Sequence, residues 1–225
     1  MKPPTRARQD YVKAMFALGG DAEVVSTSHL AARLAVSMPS ATNMLRKLAS
    51  DGLVVLTPGT GARLSAAGRR MALDLVRRHR ILETFLQKVL GLDWADVHED
   101  AEVLEHHISD RVLEAIDRLI GHPSEDPHGH MIPDRDGRMR RRTLAPLTSL
   151  AAGARGTVRE IRDDDRARMA HWKKAGLIPG AEVRVREVRD VEDIYEIEVA
   201  GRRLLSGSEG LDGVMVEPHA RRRPS

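Results

Sequence analysis

Two imidazoles and two carboxylates share one face of a helical pattern in the stretch His98-Glu99-Asp100-Ala101-Glu102-Val103-Leu104-Glu105-His106-His107. His98, Glu102, Glu105 and His106 fall at i, i+4, i+7 and i+8, the spacing that stacks side chains on one side of a helix. A second pair, His79 and Glu83, stands one turn apart in the preceding helical segment. Carboxylates and imidazoles crowded together repel or titrate unless something neutralises them, and a divalent metal is the economical answer. From spacing alone two readings stay open. The pattern is a metal site, or it is a surface acidic run with His79 a satisfied core histidine. If a metal binds, a set of oxygen and imidazole ligands without sulfur favours manganese(II) or iron(II) over softer ions.

These residues need long helices to hold them. Ser65 caps a helix that runs to about Leu90, with Gly91 as its stop and Leu75, His79, Leu82, Leu86 and Val89 inward. The acidic segment reads as one helix from about Val97 to Ile120. Its apolar stripe is Ala101, Leu104, Ile108, Val112, Ala115 and Leu119, open to self-association or to the core. Upstream, residues 7–19 read as a helix, and Ser26 and Ser28 can cap a second. Pro39 sits in the first turn of a third, which ends at Asp51-Gly52. Leu53–Leu56 and Ala62–Leu64 form a hairpin around Pro58-Gly59-Thr60-Gly61. Helix, short turn, helix and hairpin make a winged helix-turn-helix.

Beyond an irregular loop at 121–129 and a charged linker at 134–146, the period changes. Residues 157–161, 183–188, 194–199 and 214–216 alternate as short strands, with one helix near 164–175, which predicts a small antiparallel barrel. Residues 220–225 read as a frayed basic tail. The expected fold is mainly α with β, in three domains: a winged helix-turn-helix (1–73), an α-helical metal-binding and dimerisation domain (74–143), and a small Src-homology-like β-barrel (144–225).

Charge supports this division. Residues 1–80 hold 13 Lys/Arg against 5 Asp/Glu, whereas residues 81–130 hold 3 against 12. A basic head suits a polyanion and an acidic middle suits cations. The chain has no cysteine, which excludes disulfides and thiolate metal sites. No apolar run has signal-peptide or membrane-spanning length, and a cytoplasmic protein is expected. On the third helix Ser37, Pro39, Ser40, Thr42 and Asn43 precede Arg46 and Lys47, and the wing offers Thr57, Thr60 and Arg63. Small hydroxyls allow close approach to a major groove, Asn can pair with adenine, and Arg and Lys hold phosphate. The bland alternative is a three-helix unit that binds protein.

Several runs resemble the diphtheria toxin repressor family of iron- and manganese-dependent regulators. They are Arg78-His79-Arg80-Ile81-Leu82-Glu83, Leu90-Gly91-Leu92, Val97-His98, Glu102 to Ser109, Ser37 to Thr42, Asp51-Gly52-Leu53-Val54, Pro127-His128-Gly129-His130-Met131-Ile132-Pro133 and Ala175-Gly176-Leu177-Ile178-Pro179-Gly180. The resemblance covers nearly the whole chain, with the motifs in family order. It implies a primary metal site of Asp10, Glu102, Glu105 and His106, and an ancillary site of His79, Glu83 and His98. The barrel would complete the latter through Asp165 or His171. It also implies a homodimer on a pseudo-palindromic operator. Carboxylates at 10 and 102, where the iron branch of the family has Met and Cys, favour Mn2+ over Fe2+. Lys13 replaces an acidic residue that short manganese regulators use for a second, adjacent ion.

The expectation is therefore a manganese(II)- or iron(II)-dependent transcriptional repressor of metal-homeostasis genes, not an enzyme. A metal-independent winged-helix regulator is the alternative. A metal-assisted hydrolase or di-iron oxidase is a third class, but no nucleophile elbow, phosphate loop or paired Glu-x-x-His motif is present.

Overall fold

The computed structural model describes residues 5–140, 142–162 and 165–219; the basic tail at 220–225 lies outside them. The chain divides into two compact units. The first takes the residues up to His79 together with Glu105–His107 and Pro133–Arg138. The second takes Arg80–Leu104, Ile108–Ile132 and the chain from Met139 onward.

In the first unit, α1 (Arg6–Ala17) buries Tyr11, Val12, Ala14 and Met15. After β1 (Val25–Ser26), α2 (Thr27–Arg33) starts at Ser26, whose hydroxyl accepts the His29 N–H. α3 (Met38–Ser50) starts at Ser37, whose hydroxyl accepts from Ser40 N, with Pro39 in the first turn where no N–H is needed. β2 (Val54–Thr57) and β3 (Gly61–Leu64) pair as the hairpin. β1 adds to the other side of β3. Gly61 permits this, because a Cβ there would lie 2.0 Å from the Val25 carbonyl oxygen. Met15, Leu30, Leu45, Leu48 and Leu64 meet in one core, so helices and wing form one body. α4 (Ala66–Lys88) contributes to both units, changing at His79/Arg80.

The single helix expected over 97–120 is two. α5 (Val97–Leu104) ends, and α6 (Asp110–Leu119) restarts at Ser109, whose side chain accepts from Val112 N. A Ser-Asp cap inside an apolar period overrides the period. Glu105–His107 thus leave the helix and belong to the first unit. The inward face also differs from the expected stripe. Leu113 with Ile108, Ile116 and Ile120 packs on Ile81, Leu82, Leu86, Val97 and Ala101. Leu104, Val112 and Leu119 are exposed, as is Ala115.

The C-terminal part is a six-stranded antiparallel sheet with a Src-homology-like character. β4 (Ala145–Pro146) leads through a 3-10 turn into β5 (Arg155–Ile161), followed by α7 (Arg166–Ala175), β6 (Glu182–Arg189), β7 (Ile194–Val199), β8 (Arg202–Ser206), α8 (Ser208–Leu211) and β9 (Val214–Pro218). The strand order is β4-β9-β5-β6-β7-β8. Periodicity missed β4, which is two residues long and lies within the expected linker, and β8, whose arginines and leucines come in adjacent pairs. Trp172, Ile161, Leu177, Ile197 and Val158 fill its core, with Trp94 from the segment before α5.

The loop before this sheet is stitched to it. Ile161 N–H donates to the His128 carbonyl at 2.9 Å. Gly129 has φ of 86°, and a Cβ there would fall 1.8 Å from the Arg159 carbonyl oxygen. Only glycine fits both the left-handed conformation and the close approach.

Candidate metal centre and DNA-binding face

In the first unit, α1 brings Gln9, Asp10 and Lys13 to Glu105 and His106. Gln9 Oε1 lies 2.8 Å from His106 Nδ1. An amide oxygen only accepts, so Nδ1 is the donor of this pair and Nε2 is the nitrogen turned away from Gln9. That Nε2 is buried without a hydrogen bond. It lies 3.1 Å from Asp10 Oδ1 and 3.6 Å from Glu105 Oε1. A buried ring nitrogen that makes no hydrogen bond and faces two carboxylates is costly unless a cation sits among them. The donor set of oxygen and nitrogen fits manganese(II) or iron(II). Glu105 is buried. Its Oε2 lies 2.6 Å from His79 Nδ1, and both its oxygens accept from Lys13 Nζ, at 2.9 and 2.8 Å.

Glu102, expected with this group, is on α5 in the second unit, with Oε1 3.9 Å from His98 Nε2. There Glu83, also buried, places Oε1 3.1 Å from His98 Nδ1 and 3.7 Å from His128 Nδ1. His128 Nε2 donates to the Trp94 carbonyl at 2.9 Å, so Nδ1 is the nitrogen turned to Glu83. Burial pushes the His128 imidazole down, but Glu83 and Asp126 outweigh it and hold its pKa above the ordinary value. His79 stands one turn before Glu83 on α4.

Asp126, His128 and His130 form a further cluster with metal-ligand spacing. Asp126 Oδ1 accepts the backbone N–H groups of His128 and His130 at 2.8 and 3.0 Å, which shapes the loop. Its Oδ2 faces His130 Nδ1 at 3.2 Å and Arg80 Nε at 3.5 Å. His130 Nε2 lies 3.8 Å from Glu160 on β5. In the sequence this loop stands out only as one of the runs that resemble the family, and no helical spacing there marks its side chains as ligands. The signal was the Asp-x-His-x-His alternation itself, since alternate residues in a tight loop can converge on one point. Asp165 is instead the N-cap of α7, accepting from Arg168 N at 2.8 Å, and His171 is exposed on that helix.

On α3, Ser37, Pro39, Ser40, Asn43, Arg46 and Lys47 are exposed, and so is Arg63 on β3. Thr42 differs. It is half-buried and its hydroxyl donates back to the Met38 carbonyl at 2.9 Å. Ser37 and Ser40 share a hydroxyl contact of 2.9 Å at the helix start.

A winged helix-turn-helix, a carboxylate–imidazole centre reached by its first helix, and a small β-sheet domain define a metal-responsive DNA-binding regulator. Comparison with known proteins agrees. Residues 5–62 match the iron dependent repressor N-terminal DNA binding domain, 65–134 the iron dependent repressor metal binding and dimerisation domain, and 145–218 the FeoA domain. The chain is 39% identical over 106 residues to the transcriptional regulator MntR of Escherichia coli O6:H1, covering 47% of this chain and 68% of that one. It is 28% identical over 187 residues to the iron-dependent repressor IdeR of Mycobacterium leprae, covering 78% and 81%. A solved manganese-dependent transcriptional repressor in complex with manganese superimposes with a TM-score of 0.87 at 36% identity, over 94% of this chain and 100% of that one. The chain belongs to the diphtheria toxin repressor family of metal-dependent transcriptional repressors.

Among the described residues, no helix is long and apolar enough to cross a membrane.

Proposed function

We propose that this chain is a manganese(II)-dependent repressor of metal-homeostasis genes, with iron(II) as the alternative ion, acting as a cytoplasmic homodimer on pseudo-palindromic DNA and not as an enzyme. The observation that carries it is the buried Nε2 of His106, without a hydrogen bond, beside Asp10 and Glu105. These three, with Glu102 added from the family resemblance, are the proposed primary ligands. The ion supplies a divalent charge that accepts oxygens and an imidazole. Asp10 belongs to α1 of the DNA-binding head, so occupancy and the position of the head are linked through that helix.

The ancillary ligands are His79, Glu83 and His98, and the contact of Glu83 with His128 adds a fourth. Asp126 and His130 flank this group, Glu160 of the β-sheet domain approaches His130, and Asp165 or His171 is the further ligand the family resemblance offers from that domain. Ser37, Pro39, Ser40, Asn43, Arg46, Lys47 and Arg63 face the duplex, with Thr42 shaping the helix start. The three domains are 1–73, 74–143 and 144–225, and the exposed Leu104, Val112 and Leu119 are offered to the second copy.

The test is selection of random duplexes by the purified protein with manganese and, in parallel, with a chelator. An inverted-repeat sequence enriched only with manganese supports the reading. Enrichment in both arms makes the protein a metal-independent regulator, and enrichment in neither overturns DNA binding.

A further inference from the structure

We propose that Lys13 is a resident cation of the primary centre. Its ammonium occupies the Glu105 carboxylate in the metal-free protein, must leave when a divalent ion binds, and limits the centre to one ion. This rests on the primary-site reading above.

The geometry is that of a held cation. Lys13 Nζ is 2.9 Å from Glu105 Oε1 and 2.8 Å from Oε2, straddling the carboxylate as a chelated ion would. It also approaches His79 Nδ1 to 3.2 Å. The Glu105 side chain is fully buried, so this charge has lost its water and depends on its partners. An ammonium has three donors and no acceptor, so it neutralises Glu105 but cannot bridge to a second cation. A divalent ion between Glu105 and His106 Nε2 would meet that ammonium as a like charge at contact range.

Lys13 follows Asp10 by three residues, so α1 presents a ligand and its competitor on one face. The competitor has an exit. Its side chain is 18% exposed, and its flexible four-carbon stem can carry the charge to solvent once Glu105 is taken. The same position would hold the centre to one ion, because a second ion beside the first would need an anionic ligand from position 13 and a lysine supplies none. Lys13 would then act as a specificity-determining residue that sets the metal concentration at which the protein responds.

The test compares Lys13→Met, Lys13→Arg and Lys13→Glu with the parent full-length protein. His106→Ala marks which step of a manganese titration belongs to the primary centre. Lys13→Met should tighten that step about tenfold or more, the scale of removing a charge within ~4–6 Å. It should lower the melting temperature of the metal-free protein by exposing Glu105 to burial without its counter-charge. Lys13→Arg should resemble the parent, and Lys13→Glu should take up one more manganese per chain. In the unsubstituted protein, the Lys13 ε-methylene resonance, labelled with carbon-13, should shift and narrow on saturation with diamagnetic zinc.

Unchanged or weaker manganese binding in Lys13→Met overturns the proposal, as does a Lys13 resonance unmoved at full zinc occupancy. Either result leaves the primary site standing if His106→Ala still abolishes its step. A parent protein with no step sensitive to His106→Ala overturns the site and the proposal together.

Discussion

The amide of Gln9 decides which nitrogen of His106 is available. Its oxygen lies 2.8 Å from Nδ1 and accepts from it, which leaves Nε2 turned toward Asp10 and Glu105. Such outer partners of a ligating histidine fix tautomer and ring orientation. Gln9→Leu should weaken manganese binding by about 10–100-fold with little change in fold, the usual size for removing such a partner. Isothermal titration with a melting curve checks both halves. An unchanged affinity would mean that the ring is oriented by packing alone.

Asp10→Ala separates binding from response. Glu102, Glu105 and His106 remain, so some metal binding should persist. The manganese-dependent gain in DNA affinity should fall by about tenfold or more, a loss of roughly 1.4 kcal/mol of differential stabilisation. Fluorescence anisotropy on an operator duplex at saturating manganese measures it. Full activation in the variant would move the link away from α1.

Glu102→Cys should shift selectivity from manganese toward iron, cobalt or zinc, because thiolate favours later and softer ions. The order in which the four metals drive DNA binding is the readout. An order identical to that of the parent protein would show that residue 102 does not select the metal.

Asn43 and Arg46 are both exposed on α3 but differ in what they can do. Asn43→Ala should cost about 1–3 kcal/mol at one operator position and relax preference there. Arg46→Ala should weaken all sequences alike and lower the salt dependence. Equal losses on every sequence for both variants would remove Asn43 from base reading.

His128→Ala tests the ancillary group. Glu83 would keep His98 at 3.1 Å but lose the second imidazole facing it. One class of bound manganese should weaken or disappear while the step lost in His106→Ala persists. Equilibrium dialysis with elemental analysis distinguishes these. Two intact classes in His128→Ala would leave the loop a structural element only.

The winged helix was readable because local chemistry marks its joints. Ser26 and Ser37 cap helices, Pro39 opens one, and Gly52 closes another with φ of 72°. The acidic segment was misread as one rod because its apolar spacing continues across a break that only Ser109 announces. Glu105 and His106 lie in the turn after α5 and not on its face, and there they meet Gln9, Asp10 and Lys13 of α1. Gln9, and the partnership of Lys13 with Glu105, were invisible, since both depend on contacts about 90 residues distant in sequence. Asp126, His128 and His130 act through a loop held by backbone bonds, and no period encodes that.

Gly129 has one more consequence. Its α-carbon sits where the Arg159 carbonyl leaves no space for a methyl group, and the Ile161 N–H donates to the carbonyl of the adjoining His128. The C-terminal sheet is therefore not a detachable accessory. A chain cut before residue 145 would carry a loop whose mould has been taken away, so its histidines would be lost from register along with the sheet. Modularity ends at this seam, and transplanting the sheet onto another repressor requires transplanting residues 124–132 with it.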